Sequence, residues 1–204
     1  IISEFGSLLT ADDHFHRMSA MLYAERPASA GRVAKLANSE PLFAAWSAAI
    51  RKDAKTAGFV KVVPAEAQKL AGYQFAKALW LRKTGKLKDA AKVMAEAPQD
   101  AASLIDPDAW WNERRILARS LWDAGQTKLA YKTASMHAAQ SPTSAAEAEF
   151  HAGWIALRAL KDPKLAEAHF TRLLSISTTP QSLSRGYYWL GRTIAVSGRD
   201  PADA

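Results

Sequence analysis

Turn signals recur along this chain at a nearly constant interval, and that interval constrains the fold more than any other feature of the sequence. The segments Lys83–Ala90, Asp123–Ala130, Leu160–Ala166 and Ser197–Ala202 each close one helix-forming run with a turn and open the next run, in which an alanine recurs. These alanines lie 40, 36 and 36 residues apart. Periods of about 20–50 residues are typical of repeat proteins in which each unit buries its apolar face against the next. The sequence therefore predicts stacked helix pairs.

Capping signals mark where the helices begin. Five dipeptides place a side chain that can cap a helix directly before proline: Asp106-Pro107, Ser141-Pro142, Asp162-Pro163, Thr179-Pro180 and Asp200-Pro201. The Asp, Ser or Thr oxygen can accept a hydrogen bond from a free N–H group of the first turn. Proline at the first helical position loses no intrahelical hydrogen bond. Each dipeptide therefore indicates a helix start.

Strong helix formers fill the runs between these starts, and apolar residues recur there every three or four positions. Helices are predicted over about 11–25, 27–38, 40–56, 64–84, 86–97, 107–124, 126–140, 143–160, 162–177 and 180–197. The loops between them are short, which makes neighbouring helices antiparallel. The predicted fold class is all-α, a superhelical stack of antiparallel helix pairs of the tetratricopeptide-like α-solenoid type. The apolar run Phe59–Val63 ends before proline and is interpreted as a linker.

The repeat pattern predicts one helical arm in two parts. Residues 8–100 form its N-terminal hairpins, and residues 101–204 form its C-terminal repeats. Residues 1–7 include Glu4-Phe5-Gly6-Ser7, which reads like two translated cloning sites, and they are interpreted as a cloning remnant. Helix 180–197 needs a second helix opening at Pro201, so the arm is expected to be cut in mid-hairpin, as a fragment of a longer protein.

Several kinds of chemistry lack their residues here. The chain has no cysteine, which excludes disulfides and thiolate sites. Its five histidines are His14, His16, His137, His151 and His169, and no two of them have the spacing of three or four that a metal site on one helix needs. Glu147 and Glu149 lie two apart and face different ways, without an evident reason for the raised pKa of a glycosidase acid. We predict no catalytic residue, no metal ligand and no cofactor.

The aromatic residues are predicted to serve mainly as core. Apolar stripes of the long helices carry Trp46, Trp80, Trp122, Trp154 and Trp189. An alternative is that some of these indoles line a groove and stack on sugar rings or a peptide. Trp110-Trp111 and Tyr187-Tyr188 are adjacent pairs, and neighbours on a helix point about 100° apart. One residue of each pair is therefore expected outside the core that holds the other.

Three segments, Trp110–Arg119, Glu147–Arg158 and Ser184–Arg192, resemble the superhelical N-terminal region of soluble lytic murein transglycosylases of Gram-negative bacteria. The resemblance is strong over residues 107–199 and rests on helix pattern alone over 8–100. It implies a periplasmic enzyme that cleaves the bond between N-acetylmuramic acid and N-acetylglucosamine with a 1,6-anhydro product. In that family a C-terminal lysozyme-like domain carries the catalytic glutamate, and the helical arm positions the peptidoglycan strand. The family's Glu-Ser and Gly-Leu-Met-Gln motifs are absent from this sequence, so no catalytic residue can be carried over.

The expected partners are a peptidoglycan strand and the lysozyme-like domain of the same parent chain. Murein carries peptide carboxylates, which a mildly basic concave surface would attract. The residues predicted to contact the strand are Arg114, Arg115, Arg119, Arg192, Trp111 and Tyr187. The alternative is a tetratricopeptide-like module for protein–protein interaction. The net charge of +7 is spread along the chain without a basic stripe, which does not favour nucleic-acid binding, and no apolar run is long enough to span a membrane.

Overall fold

The computed structural model describes residues 8–200, and this part of the chain is all-α, with twelve α-helices and no strand. Helices α1 to α7 are Ala11–Tyr23, Pro27–Ala30, Glu40–Arg51, Thr56–Val62, Ala71–Lys83, Leu87–Glu96 and Ala101–Leu104. Helices α8 to α12 are Pro107–Asp123, Thr127–Ser135, Pro142–Ile155, Pro163–Ile176 and Pro180–Val196. Helices pack against their neighbours in sequence, so the predicted all-α fold class is confirmed. The predicted cloning remnant and the helix start at Pro201 lie outside the described residues.

Side-chain caps begin the helices as predicted. The oxygens of Asp106, Ser141, Asp162 and Thr179 each accept a hydrogen bond from the backbone N–H three residues on, at 2.9–3.2 Å. The start of α1 is a capping box, in which Thr10 and the residue at the third helical position bond each other's backbone N–H. Such caps contribute about 0.5–2 kcal/mol each, so the helix boundaries are fixed locally by the sequence.

Three of the predicted segments differ from the structure. Phe59–Val63, interpreted as a linker, instead falls mainly within α4, because Thr56 and Val60 bury one face of a helix at a spacing of four. The helix predicted over 27–38 shrinks to α2 and continues as turns. The helix predicted from residue 64 begins as a 3-10 turn, Ala67–Lys69, and becomes α5 only after Leu70 adopts an extended backbone.

The chain divides into two compact units, Ile1–Ala109 and Trp110–Ala204. In the first unit Trp46 of α3 is fully buried, with the ring of Tyr23 edge-on at 4.7 Å and the ring of Phe75 at 5.6 Å between centroids. Gly72 of α5 lies against this indole, since a Cβ at Gly72 would come within 2.7 Å of a ring carbon of Trp46. The first unit is thus organised around one tryptophan.

The second unit packs α10, α11 and α12 around another aromatic cluster. The rings of Phe170 and Trp189 stack at 6.3 Å between centroids, and Phe150 lies 6.4 Å from each of them. Gly153 permits close approach of α10 to α11, because a Cβ there would come within 2.9 Å of the Phe170 ring. A π turn, Ala156–Leu160, extends α10 beyond its regular end. No helix between residues 8 and 200 is both long enough and apolar enough to cross a bilayer.

The adjacent aromatic pairs differ from the expectation that one member of each is buried. Trp110 and Trp111 are both buried, at 0% and 1% exposure, whereas Tyr187 and Tyr188 are both exposed, at 54% and 61%. Helix α8 buries a face wide enough for both indoles because Trp111 is held edge-on by the rings of two histidines, 5.5 and 6.0 Å away. The expected core tryptophans Trp80, Trp122, Trp154 and Trp189 are half-buried.

Candidate functional site

The residues predicted to contact a glycan strand are not all at the surface. Arg119, Arg192 and Tyr187 are exposed, and Arg115 is half-buried. Trp111 and Arg114 are buried, at 1% and 2% exposure, so their side chains do not present a surface to a strand and their prediction as contacts is corrected. Burial lowers the pKa of Arg114 to about 10, and its guanidinium carbon lies 5.9 Å from the centre of the Trp110 ring. Its position makes it a packing residue of α8.

Glu147 of α10 binds two of the predicted contact residues instead. The Glu147 carboxylate accepts hydrogen bonds from Trp111 Nε1 at 3.0 Å and from Arg115 Nη1 at 2.6 Å. Burial alone would raise the pKa of Glu147, but these two donors outweigh it and hold that pKa below its ordinary value. Trp111 and Arg115 therefore fix α8 to α10 through a charged carboxylate.

A second carboxylate, Glu149, is the centre of a buried polar network. Its side chain is 11% exposed. One oxygen, Oε2, lies 2.6 Å from Nδ1 of His169, and the other, Oε1, accepts from Arg172 Nε at 3.0 Å and lies 3.3 Å from Nε2 of His137. His169 and Arg172 belong to α11 and His137 follows α9, so this one carboxylate ties three consecutive segments together.

The ring nitrogens of His169 have three polar neighbours, Glu149, Tyr131 and Arg172. An ionised Glu149 can only accept, so in the tautomer with Nδ1–H the ring donates to Glu149 and Nε2 accepts from the Tyr131 hydroxyl at 2.9 Å. Nη2 of Arg172 lies 2.7 Å from the same Nδ1 and can only donate, so Arg172 and Glu149 compete for this ring nitrogen. Burial would raise the pKa of Glu149, but hydrogen bonds from His137, His169 and Arg172 outweigh it and hold that pKa far below its ordinary range. A carboxyl so readily ionised is suited to hold helices and not to donate a proton.

This network predicts a loss of stability in acid. A carboxyl whose pKa is lower in the folded than in the unfolded chain stabilises the fold fully above the unfolded pKa, which is about 4.3 for Glu. The stabilisation from Glu149 is then lost as the pH falls below about 4.3 towards the folded pKa. Denaturant unfolding measured from about pH 7 to about pH 3 should show this loss. In the Glu149→Gln variant the free energy of unfolding should fall less between about pH 7 and about pH 3. The same pH profile in the variant and the parent chain would contradict the role given to Glu149.

Three exposed cations of the second unit, Arg158, Lys161 and Arg192, line a cleft between the π turn and α12. The cleft has a volume of about 230 Å³ and is lined by Leu157, Arg158, Lys161, Trp189, Arg192 and Val196. Arg192 was predicted as a contact residue. Arg158 and Lys161 were not, although Arg158 ends one of the segments that carry the resemblance. Their spacing of three in the sequence could have indicated a shared face.

The search for metal-binding groups and the comparisons with known proteins both gave negative results. Between residues 8 and 200 no group of three or more His, Asp or Glu side chains is placed to hold a metal ion. Comparisons of the chain with protein-family models, with curated proteins and with solved structures found no match. Among the described residues, the basic cleft and the exposed tyrosine pair of α12 are two features that could engage a ligand.

Proposed function

We propose that this chain is the non-catalytic helical scaffold of a periplasmic lytic transglycosylase-like protein. It binds peptidoglycan strands and positions them for glycan cleavage by a C-terminal lysozyme-like domain of the parent chain. The observation that carries the proposal is the basic cleft, which Arg158, Lys161 and Arg192 line together with the half-buried indole of Trp189. Murein is polyanionic through its peptide carboxylates, and an aromatic face beside cations suits a ligand with both sugar and acid groups.

The packing of the helices supports the proposal that this chain is the helical arm of such a protein. The three segments that resemble the transglycosylase arm lie on α8, α10 and α12, one helix from each of three successive pairs. The first two segments touch through Glu147, which binds Trp111 and Arg115. The second and third touch through Phe150 and Trp189, whose ring centres lie 6.4 Å apart. The resemblance therefore falls on residues that join successive pairs, as the stacked repeats of a superhelical arm require.

Binding to insoluble murein tests the proposal. The chain should co-sediment with purified sacculi at about 50 mM salt and be released at about 500 mM. The Debye length, beyond which exposed charges hardly attract each other, falls from about 10 Å at 0.1 M salt to about 3 Å at 1 M. The double variant Arg158→Glu with Arg192→Glu should bind less at low salt. Its control is Lys128→Glu, which reverses an exposed charge on α9, outside the residues that line the cleft. Absence of binding at low salt, or binding that salt does not weaken, would contradict the proposal.

A tetratricopeptide-like module that binds a protein partner is the second candidate. The exposed side chains of Tyr187, Tyr188 and Val196 on α12 favour it, since aromatic residues are enriched in protein interfaces. The sacculus experiment separates the two candidates. Failure to bind murein at low salt would make the protein-binding module the better account of this surface.

A further inference from the structure

We propose that the basic cleft is a binding site for the terminal carboxylate of a short peptide whose last residue is small and apolar. The identification of that peptide as a murein stem rests on the proposed function, whereas the recognition chemistry rests on the cleft itself. The cleft is formed where the π turn Ala156–Leu160 ends against α12. It therefore belongs to two of the segments that resemble the transglycosylase arm.

The cations of the cleft are free to bind an anion. Among the described residues, Arg158, Lys161 and Arg192 have neither an ion pair nor a side-chain hydrogen bond. Other arginines of the same unit are engaged, as Arg115 is with Glu147 at 2.6 Å and Arg172 with Glu149 at 3.0 Å. Three like charges around one cleft repel one another, and a bound carboxylate would relieve that repulsion while accepting charge-assisted hydrogen bonds.

The size and the apolar lining of the cleft limit what can enter. Its volume of about 230 Å³ is below the roughly 300–1,000 Å³ of pockets that enclose drug-sized ligands. It is therefore suited to the end of a ligand and not to a whole disaccharide unit. Leu157, Trp189 and Val196 supply apolar surface beside the cations, which matches a carboxylate attached to a small apolar side chain.

The backbone at the cleft departs from the regular repeat. Lys161 ends the π turn in the left-handed conformation, with φ of 57°. In the three other turns of the repeat pattern, Gly85, Gly125 and Gly198 take the positive φ. A lysine in the left-handed conformation carries backbone strain that glycine would avoid. In addition, π turns are frequent at functional sites. The structure thus places a cation in the lining of the cleft, at a backbone position that favours glycine.

Titration of the full chain with N-acetyl-D-alanyl-D-alanine tests the proposal, with the tryptophan fluorescence and the backbone amide signals of residues 157–196 as readouts. The dipeptide should bind and shift those signals, and its C-terminal amide should bind at least about tenfold more weakly, the loss expected for a charge-assisted contact. Inorganic phosphate is the third ligand, because it shares the negative charge and lacks the apolar group. Phosphate should bind more weakly than the dipeptide.

Two lysines give a matched pair of variants. Lys161→Gly should weaken dipeptide binding about tenfold without lowering the melting temperature, because glycine relieves the left-handed strain. Lys52→Gly is the control, since Lys52 also ends a helix in the left-handed conformation, with φ of 56°, and is exposed in the first unit. It should leave binding unchanged. Arg192→Gln should weaken binding as Lys161→Gly does.

The outcomes separate this inference from the proposed function. Equal binding of the dipeptide and its amide, tighter binding of phosphate, or full binding by Lys161→Gly and Arg192→Gln would overturn the carboxylate site. If sacculi bind in a salt-sensitive way and the dipeptide does not, the cleft assignment fails and the scaffold function stands. If the dipeptide binds through Lys161 and Arg192 and sacculi do not bind, the carboxylate site stands and the murein assignment fails.

Discussion

Replacing Glu149 by alanine is expected to lower the free energy of unfolding by about 3–5 kcal/mol, the range for removing one member of a buried charged network. Three donors lose their acceptor in this variant: His169, His137 and Arg172. The two histidine side chains are only 5% and 12% exposed, so water replaces the lost carboxylate poorly. Arg172 is 52% exposed and can be solvated, which places the loss for Glu149→Ala towards the lower end of this range.

Denaturant unfolding of the full chain measures this effect. The matched control is Glu167→Ala, because Glu167 pairs with Arg199 at 2.5 Å at the surface, with side chains 35% and 47% exposed. Exposed pairs contribute about 0–1 kcal/mol, so the control should be nearly as stable as the parent chain. Equal losses in the Glu149 and Glu167 variants would contradict the claim that Glu149 ties together α10, α11 and the segment after α9.

Gly72→Ala is expected to destabilise the first unit by about 1–3 kcal/mol, although alanine favours helix over glycine. The added methyl would lie 2.7 Å from a ring carbon of Trp46. That indole is fully buried and packed edge-on against Tyr23 at 4.7 Å, so it cannot turn away without disturbing the core. Overpacking therefore outweighs the gain in helix propensity, which is small in the first turn of α5.

The control for this variant is Gly58→Ala in α4. A Cβ at Gly58 would meet no atom within 4 Å, so only the helix propensity changes. Gly58→Ala should stabilise the chain by about 0.5–1 kcal/mol. Thermal and denaturant unfolding should thus show a loss of stability for Gly72→Ala and a gain for Gly58→Ala. A gain in stability for Gly72→Ala would contradict the close packing of α3 against α5.

Local signals allowed much of the fold to be predicted. Asp162 before proline is sufficient to begin α11, because capping and proline geometry act within one turn of the chain. The separation of Glu147 and Glu149 onto different faces of α10 was also predicted, and the structure gives the two carboxylates different partners. Local rules were inadequate for Phe59–Val63, where a short apolar run gives little periodicity from which to infer a helix.

The buried network and the cleft depend on tertiary packing that sequence spacing does not reveal. His137 and His169 lie 12 and 20 residues from Glu149 and were interpreted as isolated histidines. Their convergence depends on two contacts with α10, one made by α11 and one by the segment that follows α9. Arg158 and Lys161 have a spacing that fits one helix face, but the sequence does not show that Trp189 and Arg192 of α12 line the same cleft.

The measurement that most directly tests the scaffold proposal compares native sacculi with sacculi whose peptide carboxylates have been converted to amides. Both preparations keep the glycan strands and differ in negative charge. Because the exposed cations Arg158, Lys161 and Arg192 are proposed to bind carboxylates, the chain should sediment with native sacculi at low salt and remain in solution with the amidated ones. Equal binding to both preparations, or to neither, would contradict the account.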